Sequence, residues 1–389
     1  MDQKNKKKVV LVVEAMLGGV RQHVVDIALG LDKEKYEVYL IYSDLRADDK
    51  FYTDKEELEK KVCMILCNEM GREISIKKDW KAYKFVVNQI KKIKPDIVHC
   101  HSSKGGVIGR LAAKRCGVAQ IYYTPHAYVF QSPNIGDKKR FVYILAERFL
   151  SKAATTTTIN VSKGEMQKAL DYNIDKRDKF TLIYNGIAKI KTPDITKIRL
   201  EEGFSKSTKL VGVTARCAEQ KDPMTFLKIA KAVTQKRKDV EFIYIGDGNM
   251  ETKMKKWIKS EKLDSKIHML GFRNNASEIV GILDIYLSTA LFEGLPYSII
   301  EAMRAGVPLI VTNVDGNNEL VVQRQNGLLF EPGSVESAFN LIIRQLEENV
   351  IKHEDVTKTF EEKFSISTML NKLTSIYQLG NASSDTDVF

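Results

Sequence analysis

Two carboxylates eight positions apart, Glu293 and Glu301, lie in the run LFEGLPYSIIEAMRAG. Between them sit a glycine, a proline and what reads as the start of a helix. Pro296 suits a first helical position, where its missing N–H costs nothing. Gly306 suits the left-handed position just past the helix end. These bounds predict a helix of about ten residues, a common length. Glu293 then falls in the loop before it and Glu301 one to two turns inside, roughly 7–8 Å along the axis from Pro296. The N–H groups of Tyr297, Ser298 and Ile299 would point out of an end that carries partial positive charge and suits a phosphate. A ligand with phosphates at its centre and hydroxyls at both ends matches this layout, as a nucleotide sugar does. One glutamate would accept from ribose hydroxyls and the other from the sugar, in charge-assisted bonds. The bland alternative is an amphipathic helix with two solvated glutamates. For a lone pair that reading is preferred, but Gly-Leu-Pro and the surrounding sequence weigh against it.

Other residues could serve the same ligand. Arg216 and Lys221, in VTARCAEQKDP, can converge on one diphosphate from a single loop, the arginine as a planar fork and the lysine as a point charge. Either alone is an ordinary surface cation. Gly18-Gly19 follows the first apolar run, where backbone can approach a ligand closely. It is no G-x-G-x-x-G fingerprint, so nicotinamide binding is not indicated. His99 and His101 alternate on a strand end and share one face, so a metal is conceivable. No third ligand is evident in the sequence, and a strand end with a helix cap is preferred for His99. Thr124-Pro125-His126-Ala127 closes another strand, and a lone histidine there is usually structural. Gly246-Asp247-Gly248 and Gly271-Phe272-Arg273 are weak signals individually.

The elements that must position these groups alternate. Val9–Val13 is continuously apolar, as a strand buried on both faces should be. A glycine loop and a helix over Val20–Leu31 follow, then strands at Tyr36–Tyr42, Ile97–Cys100, Ile121–Thr124, Thr155–Val161 and Phe180–Tyr184. A second cycle starts at Lys209–Thr214, with a helix from Pro223 to about Gln235 and strands at Glu241–Ile245, Lys266–Leu270, Asp284–Ser288 and Val307–Thr312. The class is therefore α/β, two doubly wound halves joined by the polar stretch Ala188–Lys197. A ligand is expected in the cleft between the halves, outside the carboxyl ends of their strands. The tail Asn381–Phe389 reads as disordered.

The chain has 389 residues, a length that favours two domains. Its 43% hydrophobic and 29% charged content suits a globular protein. No apolar run reaches the ~18 residues of a membrane span, and Glu14 cuts the first one too short for a signal peptide. Cys63, Cys67, Cys100, Cys116 and Cys217 are scattered and read as reduced core residues of a cytoplasmic protein. A net charge of +11 admits nucleic acid, anionic lipid or phosphorylated small molecules. No nucleic-acid module is present, so the charge is assigned to a diphosphate and a membrane surface. Lys77–Lys94 carries seven lysines against Asp79, interleaved with Trp80, Tyr83 and Phe85. It reads equally as a membrane-surface helix or a solvated crossover helix. Asp137–Lys152 mixes basic residues with a wide apolar face, for which a core helix is preferred to a membrane-facing edge.

The run EGLPYSIIEAMRAGVPLIVTNVDGNNELV resembles the glutamate-x7-glutamate motif of the retaining glycosyltransferases of family 4, which have the two-domain GT-B fold. The resemblance covers nearly the whole chain and is strongest over Val211–Asn326. It implies an N-terminal acceptor-binding domain over 1–187, a donor-binding domain over 188–362, and a helix over 363–380 crossing back, before the tail 381–389. It implies that Glu301 holds the ribose and that Glu293, Gly294, Leu295, Pro296 and Tyr297 lie at the donor. Arg216 and Lys221 match the diphosphate pair, with Cys217 a departure where a bulky apolar residue is common. Gly246, Phe272 and Arg273 match the nucleotide-base side, and His126 a donor-sugar contact. Gly18, Gly19, His101 and Lys104 match the acceptor or phosphate side. No metal or other cofactor is implied.

The implied activity is transfer of a sugar from a nucleotide-diphosphate donor, expected to be a UDP-sugar, with retained configuration. The acceptor would be a glycan or lipid-linked molecule of bacterial surface polysaccharide, at the inner face of the plasma membrane. A nucleotide-sugar epimerase and a non-catalytic nucleotide-binding subunit are the alternatives. A phosphorylase would need a cofactor-bound lysine, for which there is no case.

Overall fold

A computed structural model describes residues 6–71, 73–131, 135–190 and 194–379. It divides into two compact units, Met1–Gly186 with Ile366–Phe389, and Ile187–Ser365. The expected disordered tail, Asn381–Phe389, lies outside the described residues, as do 191–193 of the expected linker.

The first unit holds β1 (Lys7–Val13), β2 (Tyr36–Tyr42), β3 (Cys63–Leu66), β4 (Ile97–His101), β5 (Gln120–Thr124), β6 (Thr157–Asn160) and β7 (Phe180–Leu182). Among the described residues these form one parallel sheet of order β3-β2-β1-β4-β5-β6-β7. Its helices are α1 (Gly18–Gly30), α2 (Asp49–Lys61), α3 (Ile76–Ile93), α4 (Ser103–Arg115), α5 (Asp137–Ala154) and α6 (Lys163–Asp171). The pleat of β1 sends Val9, Leu11 and Val13 into one apolar cluster, under α1 and α2. Val10 and Val12 go into the other, under α3, α4 and α5. An uninterrupted apolar run is what a strand covered on both faces requires. Side-chain caps start two of these helices: Asp48 accepts from Phe51 N at 3.0 Å, and Ser162 from Glu165 N at 3.1 Å.

The second unit holds β8 (Lys209–Thr214), β9 (Val240–Ile245), β10 (Ile267–Gly271), β11 (Ile285–Ser288), β12 (Leu309–Thr312) and β13 (Gly327–Phe330), in the parallel order β10-β9-β8-β11-β12-β13. Its helices are α7 (Ile195–Glu201), α8 (Pro223–Lys236), α9 (Glu251–Ser260), α10 (Ala276–Ile279), α11 (Tyr297–Arg304), α12 (Asn317–Leu320), α13 (Val335–Glu348) and α14 (His353–Lys363). Asp222 caps α8 through Thr225 N at 3.2 Å, with Pro223 in the first turn. The last helix, α15 (Ile366–Leu379), belongs to the first unit. Its Met369, Leu373 and Tyr377 join the cluster beside α1. The Tyr377 hydroxyl lies 2.7 Å from His99 Nδ1 inside that cluster.

The structure corrects the sequence reading in several places. Gly18 and Gly19 begin α1 rather than forming a loop before it; Gly18 does so at φ +55° with its N–H bonded to Asp48 Oδ2 at 2.7 Å. The expected linker is helical from Ile195, because Asp194 caps α7 through Lys197 N at 3.1 Å. The edge strands β3 and β13 were not expected. Their apolar runs, CMIL and GLLF, are only four residues long, too short for periodicity to mark them as strands. Among the described residues no helix is long and apolar enough to cross a membrane.

Candidate functional site

In each sheet the strand order reverses once, and side chains after the flanking strands meet there. In the second unit the reversal lies between β8 and β11. A pocket opens there, lined by Thr214 and Ala215 at the end of β8 and just past it, by Ser288 and Thr289 of β11 and its exit, and by Lys221, Glu293, Pro296 and Ser298. Lys221 and Glu293 form an ion pair, with side chains 18% and 9% exposed. The two loops carrying them are tied together. Thr289 Oγ1 donates to the Lys221 and Asp222 carbonyls at 2.9 Å each, Leu291 N to Gln220 O at 2.8 Å, and Gln220 Nε2 to Phe292 O at 3.0 Å.

Arg216 is exposed on the same loop as Lys221. Its backbone is clamped from below: Tyr244 Oη donates to Arg216 O at 3.1 Å, and Cys217 N donates to Asp247 O at 2.7 Å. Gly246 makes this possible. It sits at φ +139°, and a Cβ there would stand 2.1 Å from Ala215 O. Gly316 plays the same part for Glu293: at φ +83°, its Cβ would meet Gly294 O at 2.3 Å. Gly246 N also donates to Gly271 O at 2.8 Å, which fixes the loop leading to Phe272. The Phe272 ring is exposed. Arg273 is turned to Glu202, 3.0 Å away, so its guanidinium is engaged within the unit.

The helix α11 is shorter than expected. Pro296 is its N-cap, with extended ψ, and not its first helical residue. Ile299 N donates to Pro296 O at 3.2 Å, closing a tight first turn, so that amide is not offered outward. Gly306 takes the expected left-handed position at φ +73°. Leu295 is buried beneath the loop and Tyr297 is half-buried at the helix start. Glu301 is half-buried one turn in, close enough to Tyr286 and Arg304 to act on their charge.

In the first unit the reversal lies between β1 and β4. Glu14, directly after β1, is buried there and accepts from Ser102 Oγ and from Gly105 N at 2.9 Å. Nearby, at the end of β5, His126 and Ala127 adopt φ +55° and +78° in succession. Two such non-glycine residues in a row are uncommon and store strain. Glu165 holds the turn by accepting from Ala127 N at 2.6 Å. His101 is fully buried behind His126, with Nδ1 3.3 Å from His126 Nε2. His23 of α1 completes a cluster whose nitrogens all lie within 4.8 Å of one another, a donor set open to a transition metal. So the third histidine that the sequence did not reveal does exist, 78 positions before its nearest partner in the chain. Burial pushes His23 down to about 4 and holds His99, His101 and His126 well below the usual imidazole range. All four are neutral near pH 7; His99 spends both ring nitrogens on Tyr377 and Thr124, and only His23, His101 and His126 offer nitrogens to a metal. Lys104 is paired with Asp79 at 2.7 Å, which ties α4 to α3 instead of leaving an open cation.

Comparison with known proteins agrees with this layout. Residues 17–189 match the model of Glycosyltransferase Family 4, and residues 194–363 that of Glycosyl transferases group 1. A UDP-Gal:alpha-D-GlcNAc-diphosphoundecaprenol alpha-1,3-galactosyltransferase of Escherichia coli is 31% identical over 79% of this chain and 81% of its own. The capsular polysaccharide biosynthesis glycosyltransferase CapM of Staphylococcus aureus is 22% identical over 89% of this chain and 91% of its own. Among solved structures, Anabaena HepE in complex with UDP superposes with a TM-score of 0.79 at 20% identity, covering 96% of this chain and all of its own.

Proposed function

We propose that this chain, which belongs to glycosyltransferase family 4 and has the GT-B fold, transfers a hexose from a UDP-sugar with retained anomeric configuration. The acceptor in this reading is a lipid-linked glycan of bacterial surface polysaccharide, reached at the inner face of the plasma membrane. The observation that carries it is the Lys221–Glu293 pair at the strand-order reversal of the second unit, next to the start of α11. The two side chains neutralise each other across the pocket. With donor bound, Lys221 turns to the diphosphate and Glu293 is released to accept from the sugar's hydroxyls. Arg216 supplies the second cation, the first amides of α11 the dipole, and Glu301 accepts from the ribose. His126, neutral and held in a strained turn, is a hydrogen-bonding group at the carboxyl edge of the first unit's sheet.

In the transfer step the acceptor oxygen bonds to the anomeric carbon as the bond to the phosphate oxygen breaks. The acceptor proton passes to that leaving oxygen, and UDP departs. Cations already in place stabilise the charge that develops, so we infer that no divalent ion is needed at the diphosphate. The names of the relatives support the donor and acceptor classes: the Escherichia coli protein is a UDP-Gal enzyme acting on a diphosphoundecaprenol acceptor, and HepE was solved with UDP and with UDP-glucose. The test is a screen of UDP-sugars for donor turnover with membrane extract as acceptor, with and without EDTA. Transfer surviving EDTA is expected; no turnover with any UDP-sugar would overturn the reading.

A further inference from the structure

Helix α5 buries Ile144, Leu150 and Ala154 as a crossover helix does, yet it is apolar on its outer face as well. Its acid Glu147 is turned inward, accepting from the fully buried Arg110 at 2.9 Å and from Tyr123 Oη at 3.2 Å. Arg140 and Arg148 are bonded to the carbonyls of Phe130 at 3.1 Å and Tyr172 at 2.8 Å. The outward stripe is apolar: Phe141, Val142, Leu145 and Phe149 are 59%, 62%, 45% and 62% exposed. Lone surface hydrophobics are ordinary, but four large ones at helical spacing on one face are not. The helix thus packs into the core as expected for Asp137–Lys152, and also carries a second apolar face outward. Exposed Lys138, Lys139 and Lys152 flank the stripe.

The neighbouring surface continues the pattern. Helix α3 packs against α4, and α4 against α5, over one face of the sheet. At the start of α3, Ile76 and Trp80 are exposed among the exposed Lys77, Lys78, Lys81 and Lys84. Crossover helices run back antiparallel to their strands, so the starts of α3 and α5 lie at the carboxyl edge of the sheet. Glu14 and His126 stand at that same edge.

We propose that this layer docks on an anionic lipid bilayer, with α5 lying in the interface plane. Phe141, Val142, Leu145 and Phe149 enter the acyl boundary and the lysines of α3 and α5 meet the headgroups. Charge selects the occupant: the apolar stripe is collared by cations, so a second copy would bring like charge against like, whereas anionic headgroups complement it. The stripe from Lys138 to Lys152 is about 21 Å long at the helical rise, enough for a helix seated flat on a membrane. The inference deepens the lipid-linked acceptor reading and rests on it for its purpose, though not for its geometry.

The test is co-sedimentation of the full chain with vesicles of phosphatidylcholine, alone or mixed with phosphatidylglycerol. The wild type should bind the mixed vesicles. The variant Phe141→Ser/Leu145→Ser/Phe149→Ser should bind them about tenfold more weakly or worse. Lys138→Glu/Lys139→Glu should bind roughly tenfold more weakly at low salt, the deficit shrinking as salt rises. These side chains are on the surface, and unchanged thermal melts would show that both variants fold. Wild-type protein left in the supernatant, or variants that bind as tightly as wild type, would overturn the proposal. So would a wild-type dimer that the serine variant dissolves without any vesicle binding. Hydrolysis of the UDP-sugar donor separates the two readings. Vesicle binding without donor turnover sinks the transferase reading alone, and turnover without vesicle binding sinks the docking alone.

Discussion

The glycine at 246 offers a sharp perturbation of the donor loop. Gly246→Ala places a Cβ 2.1 Å from Ala215 O, about 1 Å closer than real Cβ contacts allow, at a φ of +139° that side chains rarely adopt. The obstacle is backbone, so no side chain can swing away. Strain of this kind costs on the order of 1–3 kcal/mol, and for a unit of this size each kcal/mol lowers the melting temperature by roughly 2–4 °C. The larger effect should be on turnover. Relief requires the Ala215–Arg216 segment to move by about an ångström, and such misplacement of a catalytic group costs about 100-fold in rate. UDP titration calorimetry, donor turnover and a thermal melt would be measured on the same variant. Gly136→Ala is the control, since nothing lies within 4 Å of its Cβ and its φ is ordinary. Turnover and UDP affinity equal to wild type in Gly246→Ala would refute the idea that this loop is clamped to aim Arg216.

Three further outcomes are expected. Arg216→Ala should lower the transfer rate more than ground-state binding, whereas Glu301→Ala should chiefly weaken nucleotide binding; steady-state kinetics with a UDP-sugar separates them. The first unit should be acid-labile. Its buried imidazoles are depressed, His23 to about 4, so the unfolded chain takes up protons first as pH falls below 6.5 and stability drops, by roughly 3 kcal/mol from His23 alone. Denaturant melts at pH 7 and pH 5 would check this, and equal midpoints would contradict it. Asp26 works the other way: burial raises it to about 7, so it stays protonated in the fold over a range where the unfolded carboxyl has ionised. Its cost therefore grows as pH rises from about 4 to about 7 and is constant above, reaching roughly 4 kcal/mol. Asp26→Asn, which keeps the bond from Gln22 Nε2, should stabilise the protein more at pH 8 than at pH 5, by roughly 2–3 kcal/mol. Four histidines against Asp26 and Asp54, whose carboxyl burial also raises, leave the net trend towards loss of stability in acid.

What the sequence disclosed follows from range. The strands β1 and β8 were legible because burial on both faces leaves an unbroken apolar run. The Glu293–Glu301 segment was legible because its glycine and proline act locally. The short edge strands β3 and β13 were not, since four apolar residues carry too little periodicity to mark a strand. The histidine cluster was half legible: His101 and His126 end adjacent strands, but His23 arrives from α1 only through the fold. Helix α5 shows the limit of periodicity, which reveals that a helix has two faces without saying which is inward. Glu147 goes in because Arg110, far away in sequence, is waiting for it. The engagement of Arg273 by Glu202, and of Lys104 by Asp79, is likewise tertiary.

Catalysis in this reading depends on a diphosphate held by Arg216, Lys221 and the start of α11, at the carboxyl ends of β8 and β11. A crystal structure with UDP bound would test it most directly. The pyrophosphate should lie within hydrogen-bonding distance of both cations and of the first α11 amides, with the Lys221–Glu293 pair opened. UDP bound elsewhere, or both cations turned away from its phosphates, would contradict it.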